Sequence, residues 1–177
     1  MVRRAGFTLI EIVIAIVVLA VSLVVLTTLI FPQARNSTEQ VFQARSIELG
    51  NSLINEIMAR GFDENSDISG GIVRCGEFTQ PDCTAPTNLG PEAGETRPDF
   101  DDVDDYHLLH LTEPNIESAL GVDITDEYIG FSYVIEVCYA TLQGECVGSI
   151  QEVKRITVTI ESPNNDIVTM SSLRGNF

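Results

Sequence analysis

The sequence predicts an α+β fold, a long amino-terminal helix whose second half packs on a carboxy-terminal antiparallel sheet, with an irregular loop region between. Three patterns carry this expectation. Residues 7–31 are an almost unbroken apolar run, interrupted only by Thr8, Glu11, Ser22, Thr27 and Thr28. Leu49, Leu53 and Ile57 then recur every four positions, the spacing of one helix face. From Phe131 to Tyr139 apolar residues fall on alternate positions, the spacing of one face of a strand.

The apolar run comes first. At about 1.5 Å per residue it measures roughly 37 Å as a helix, enough to cross a ~30 Å hydrocarbon core. It is too long for the apolar part of a secretory signal peptide and reads as a signal anchor. Arg3 and Arg4 on its short side place the amino end in the cytoplasm and the bulk of the chain outside. Glu11 lies inside the run, where an unpaired acid costs a few kcal/mol, so it is a candidate functional residue.

Pro32 follows the run and removes one helix hydrogen bond, and the polar residues 33–40 suit a membrane surface. Helical periodicity resumes over residues 41–58, where Ile54 and Met58 widen the Leu49, Leu53, Ile57 stripe and Phe42 and Ile47 extend it. Gly61 reads as the stop. Residues 63–71 are a polar loop, and residues 72–74 form a short strand. Pro81, Pro86, Pro91 and Pro98 predict irregular structure over residues 75–100. Thr112 caps a short helix over residues 112–120 with Pro114 in its first turn, ended by Gly121.

The sheet follows. Phe131, Tyr133, Ile135, Val137 and Tyr139 form one face of a strand. Residues 142–145 turn the chain and place Cys146 opposite Cys138. Ile156, Val158 and Ile160 alternate along the return strand. Residues 163–166 turn again into a last strand over residues 167–173. The result is a three-stranded meander whose apolar face covers the helix stripe.

Composition limits the chemistry. The 177 residues carry a formal charge of −16 with pI near 4.2, and Arg97 is the only Lys or Arg between Glu92 and Glu127. Such a surface repels phosphate backbones, which argues against nucleic-acid binding. Cys75, Cys83, Cys138 and Cys146 form two pairs of equal spacing, neither a C-x-x-C redox or zinc pattern. They fit disulfides in an oxidising compartment. Three connectivities are possible, and sequential pairing closes the shorter loops, each bridge adding about 2–3 kcal/mol.

Asp101, Asp102, Asp104 and Asp105 make the densest acidic stretch and are candidate calcium ligands, although the EF-hand spacing is missing. The ordinary reading is a solvated acidic loop with no metal. His107 and His110 lack the glutamate of a zinc-protease helix and read as ordinary, partly exposed histidines. No nucleophile elbow, phosphate loop or nucleotide fingerprint occurs, so neither an enzyme nor a cofactor is expected.

The amino terminus also carries a resemblance. Arg3-Arg4-Ala5-Gly6-Phe7-Thr8-Leu9-Ile10-Glu11, a short basic leader ending in Gly before an apolar helix, resembles the type III signal of type IV prepilins and pseudopilins. The resemblance implies cleavage by prepilin peptidase between Gly6 and Phe7, N-methylation of Phe7, and a mature protein that keeps the helix. In a helix the Phe7 amine lies about 6 Å along the axis from Glu11, and a neighbouring subunit's amine can approach that carboxylate more directly. Glu11 then sets the register of assembly.

The implied organisation is a cleaved basic leader over residues 1–6, a transmembrane and assembly helix over 7–31, an amphipathic continuation over 32–60, and a globular head over 61–177. The implied partners are other pilin subunits, prepilin peptidase and an inner-membrane assembly platform. The implied location is the inner membrane before assembly, with a periplasmic head, and the pilus afterwards. Residues 48–57, 62–65, 74–76 and 101–106 are further similar to the D-type minor pilins of mannose-sensitive haemagglutinin pili. The expected function is a minor pilin acting in surface adhesion. The alternatives are a minor pseudopilin of a type II secretion system and a membrane-tethered ligand-binding domain; resemblance to pseudopilins would also imply calcium at the acidic stretch.

Overall fold

A helix, α1, occupies Leu9–Met58, and four strands follow: β1 (His110–Thr112), β2 (Ser132–Tyr139), β3 (Val153–Glu161) and β4 (Ile167–Gly175). The computed structural model describes residues 8–67, 74–112, 116–118 and 121–176, without the side chains of residues 29–38. The chain divides into two compact units within α1, Met1–Val41 and Phe42–Phe177. The apolar half of α1 lies in the first, and the amphipathic half shares the second with the sheet.

In the first unit the described helix opens at Leu9, and Phe7, expected to begin it, lies outside the described residues. The Thr8 carbonyl accepts from the Glu11 and Ile12 amides at 3.1 and 3.3 Å, the opening turn of α1. Side chains from Leu9 to Thr28 are exposed on every face. A helix apolar all round needs a non-aqueous surrounding, and Leu9–Thr28 is long and apolar enough to cross a membrane.

In the second unit the sheet is antiparallel throughout, in the order β1-β2-β3-β4. Tyr133 pairs with Ile160, Ile135 with Val158 and Val137 with Ile156, so the inward side chains of β2 and β3 lie side by side. They form one core with Leu49, Leu53 and Ile57 of α1. Burying each such aliphatic side chain contributes about 1.5–3 kcal/mol. Gly50 permits the close approach of helix to sheet: a Cβ there would stand 2.5 Å from Met170 Sδ and 3.0 Å from Ile160 Cδ1.

The irregular region is held by charge as well as by apolar contact. Arg97 is 7 % exposed although it lies in a polar loop. It meets Glu56 of α1 through Nη2 at 2.8 Å and Nε at 3.2 Å, and its Nη1 donates to the Glu117 carbonyl and the Tyr133 hydroxyl. Tyr106 donates to the same Glu56 at 3.0 Å. Helix, loop and sheet thus meet at one buried guanidinium.

Several expectations change. The sheet has a fourth strand: Thr112, expected to cap a helix, ends β1 opposite Ser132. Residues 113–115 and 119–120 lie outside the described residues, but residues 116–118 are not helical. The Ile116 amide donates to Thr125 Oγ1, and Glu117 bridges Asp123. Burial of Ile116 in the core against an extended partner outweighs the local capping signal. Cys146 does not face Cys138, which stands opposite Arg155, because β3 starts only at Val153 and Cys146 bridges Ala140 within the connection. The short strand expected at residues 72–74 falls mostly outside the described residues, and Arg74 is not in a strand.

The cysteines pair sequentially at disulfide distance, Cys75 with Cys83 and Cys138 with Cys146, with Cα separations of 4.8 and 5.7 Å. Replacing Arg97 by Ala leaves the Glu56 carboxylate buried without its cation and should lower unfolding free energy by about 3–5 kcal/mol. The double variant Glu56→Leu/Arg97→Leu should cost less than the two single changes added together. Denaturant unfolding of the detergent-solubilised chain measures both, and simple additivity would show that the pair acts independently.

Candidate functional site

Two regions hold the residues that sequence singles out. At the amino end, Gly6 and Phe7 lie outside the described residues. Glu11 sits in the first turn of α1 with an exposed side chain. The other polar side chains of the span satisfy themselves. Ser22 Oγ donates to the Val18 carbonyl at 2.7 Å, Thr27 to Leu23 and Val24, and Thr28 to Val25. Such back-bonding makes a hydroxyl tolerable in hydrocarbon. Glu11 has no hydrogen-bond or ion-pair partner among the described residues, so its partner in an apolar setting must come from elsewhere.

The second region is acidic. Asp101, Asp102, Asp104 and Asp105 do not converge into a four-carboxylate shell. Residues 104–106 form a 3₁₀ turn, which sends neighbouring side chains in different directions. Asp102 Oδ1 accepts from the amides of Asp104 and Asp105 at 2.7 and 3.3 Å. Asp105 Oδ2 accepts from those of Asp101 and Asp102 at 3.0 and 3.1 Å. These aspartates therefore build the turn. Asp104 faces the Lys154 ammonium instead.

What does converge is Glu92, Glu95 and Asp105, whose carboxylate oxygens lie within 4.8 Å of one another. The Glu92 amide also donates to Glu95 Oε2 at 3.1 Å. Partial burial, then a hydrogen bond shared with Glu95 and the nearby Asp105 charge, push the Glu92 carboxyl up to about 7. Glu64 is raised too, by burial and by Asp101. Sequence does not expose this grouping, because Glu92 and Glu95 lie in a proline-flanked loop. Asp63 also approaches Cys75 and Cys83, but those thiols are used up in a disulfide.

Lys154 is the residue that sequence reading missed. It is 0 % exposed and pairs with Asp63 at 3.0 Å and with Asp104, and it donates to the Phe62 carbonyl at 2.7 Å. A signal existed. Lys154 shares the parity of Ile156, Val158 and Ile160, so the alternation points it inward. His107 is half-buried, and its Nδ1 accepts the Val137 amide at 3.1 Å. The bond helps hold the left-handed Leu108, at φ 59, where the chain enters β1.

The pH dependence of Glu92 has a definite sign. Its folded value lies above the ordinary 4.5, so its contribution is complete below about 4.5 and is lost as pH rises through about 7. His107 has the opposite sign: burial lowers it, so protonation on acidification destabilises the fold. Comparing wild type with Glu92→Gln cancels the histidine. The wild-type melting temperature should fall more steeply between about pH 5 and 8 than that of the variant. Parallel curves from calorimetry would refute the coupling.

The family described as the prokaryotic N-terminal methylation motif matches residues 1–27. No curated protein and no solved structure matches the chain. The matched residues take in Gly6, Phe7, Glu11 and most of the apolar span. Together with the α+β head and, among the described residues, one helix suited to a single pass through the inner membrane, the match supports a type IV pilin-like protein.

Proposed function

We propose that this chain is a minor type IV pilin-like subunit, cleaved between Gly6 and Phe7, methylated at Phe7, and inserted by its helix into a pilus that serves surface adhesion. One observation carries the reading. Glu11 is the one acid in the Leu9–Thr28 span of α1, which is apolar on every face and whose hydroxyls bond to its own backbone. A carboxylate there is stable beside a cation, and cleavage creates one, the new amine of Phe7. A neighbouring subunit's amine supplies that cation while the two helices bury their apolar surfaces together. The same pairing admits a new subunit at one register only, since a slipped helix leaves both charges alone in hydrocarbon.

The head supports a minor role. Residues 74–106 form an irregular, disulfide-bridged flank beside the sheet, with Phe78 fully exposed, and such a surface suits a tip or priming position. The two cysteine pairs suit a head that matures in the periplasm.

Glu11→Val tests the assembly role. Mass spectrometry of the membrane-bound protein should show normal cleavage and methylation, while sheared filaments should lack the variant. Normal incorporation would overturn the part given to Glu11. A Gly6→Ser variant should remain uncleaved, and a normally processed one would move the cleavage site elsewhere.

A further inference from the structure

Lys154 stands in surroundings that an ordinary ion pair does not need. Its Nζ lies 4.6 Å from the Phe62 ring centre and 5.2 Å from that of Tyr139, so two aromatic faces shut out water. Around it are three buried carboxyl groups. Asp63 and Asp104 contact the nitrogen, and Asp102, 1 % exposed, stands next to Asp104. Asp102 Oδ1 is used by two amides, while its Oδ2 is buried without a hydrogen-bond partner.

The two flanking acids are kept in different states. Burial first, then the charges of Asp104 and Asp105, push the Asp102 carboxyl up to about 9, so it holds a proton. Burial also pushes Asp63 up, but Lys154 and the amides of Thr84 and Asn65 outweigh it and hold Asp63 below its usual value, as a carboxylate. A proton acceptor and a proton donor thus flank one amine and one carboxyl group. That is the set of groups a condensation requires.

We propose that Lys154 and Asp104 are a self-modification site, joined by an intramolecular amide bond that forms once the head has folded. The ammonium of Lys154 passes a proton to Asp63, and the Asp102 proton moves onto Asp104. The free amine lone pair attacks Asp104 Cγ, forming the C–N bond, and the nitrogen returns one proton to Asp102. Asp63 then gives its proton to the departing hydroxyl, the C–O bond breaks, and one water leaves. Asp63 and Asp102 end as they began, and the ammonium and carboxylate have become an amide and water. No oxidant, metal or activated donor enters the balance.

Two physical terms favour the step. Holding the reacting groups together is equivalent to an effective concentration of about 10⁵–10⁸ M. The reaction also removes two opposite charges from a dry site, where desolvation makes each of them costly to keep. The bond would tie β3 to the turn at residues 104–106, closing a covalent loop around β1 and β2. The two disulfides each span eight positions and leave this connection untouched.

Peptide mass spectrometry of the full chain tests this. The chain is extracted from membranes, reduced, denatured and digested at glutamates, which lie between Asp104 and Lys154 at several positions. The expected product is the Asp104 peptide joined to the Lys154 peptide, lighter by one water than the two apart. Trypsin should also fail to cut after Lys154. Two separate peptides from folded wild-type chain would overturn the proposal, as would a junction at Asp63. Asp102→Asn keeps the size of the side chain but removes the proton donor. It should leave the peptides unjoined in a chain that still forms both disulfides, and full joining in that variant would overturn the relay given to Asp102.

Discussion

The head depends on charges buried where apolar contact alone could not hold an irregular loop. Glu56 projects from α1 beside the Leu53 and Ile57 stripe, and Arg97 reaches it from the proline-rich region. A guanidinium presents a planar fork that matches a carboxylate, and its remaining donors here take the Glu117 carbonyl and the Tyr133 hydroxyl. Residues 75–106 contain no strand and little regular hydrogen bonding, so few ladder bonds define their path. The guanidinium replaces them with directed bonds to helix, loop and sheet. Phe100, Val103 and Tyr106 then fill the core below it, with Phe100 and Tyr106 in edge-to-face contact at 5.0 Å.

Lys154 repeats this arrangement at the other end of the sheet. Both cations lie within a strongly acidic chain, and both are out of water. In such a chain most carboxylates repel one another, as the Glu92, Glu95 and Asp105 group shows. Lys154 settles where two of those acids, Asp63 and Asp104, are brought close. The aspartates of residues 101–105 are the clearest case: one oxygen each of Asp102 and Asp105 serves backbone amides, and one of Asp104 serves Lys154. A dense acidic stretch in sequence became a turn and a lysine site in space.

The two units follow different physics. Phe42–Phe177 is organised by burial within itself, with the stripe of α1 against β2 and β3. In Met1–Val41 the described apolar side chains, from Leu9 to Leu26 and at Val41, face outward. Leu9–Thr28 is long and apolar enough to cross a membrane, and an apolar surrounding would stabilise it. One helix therefore serves two solvents, and the change from all-round apolar to one-sided apolar sequence marks the transition.

Periodicity alone determined a good deal. The apolar span, the place of Glu11, the Leu49, Leu53, Ile57 stripe and the inward faces of β2 and β3 are short-range patterns, and short-range patterns survive without knowledge of neighbours. The sequential cysteine pairing was favoured for the same reason, since its loops are short. Only the tertiary structure decided what depends on partners far along the chain. β1 exists because residues 110–112 find the edge of β2, although Thr112 and Pro114 read locally as a helix start. The register of β3 moved Cys146 from opposite Cys138 to opposite Ala140. The side chains of Asp102, Asp104 and Asp105 took separate directions because backbone amides close by and Lys154 each engage one of their oxygens. Lys154 was signalled by parity, yet its partners Asp63 and Asp104 lie 91 and 50 positions away. A side chain's direction is a local property, whereas the charge that it meets is set by folding.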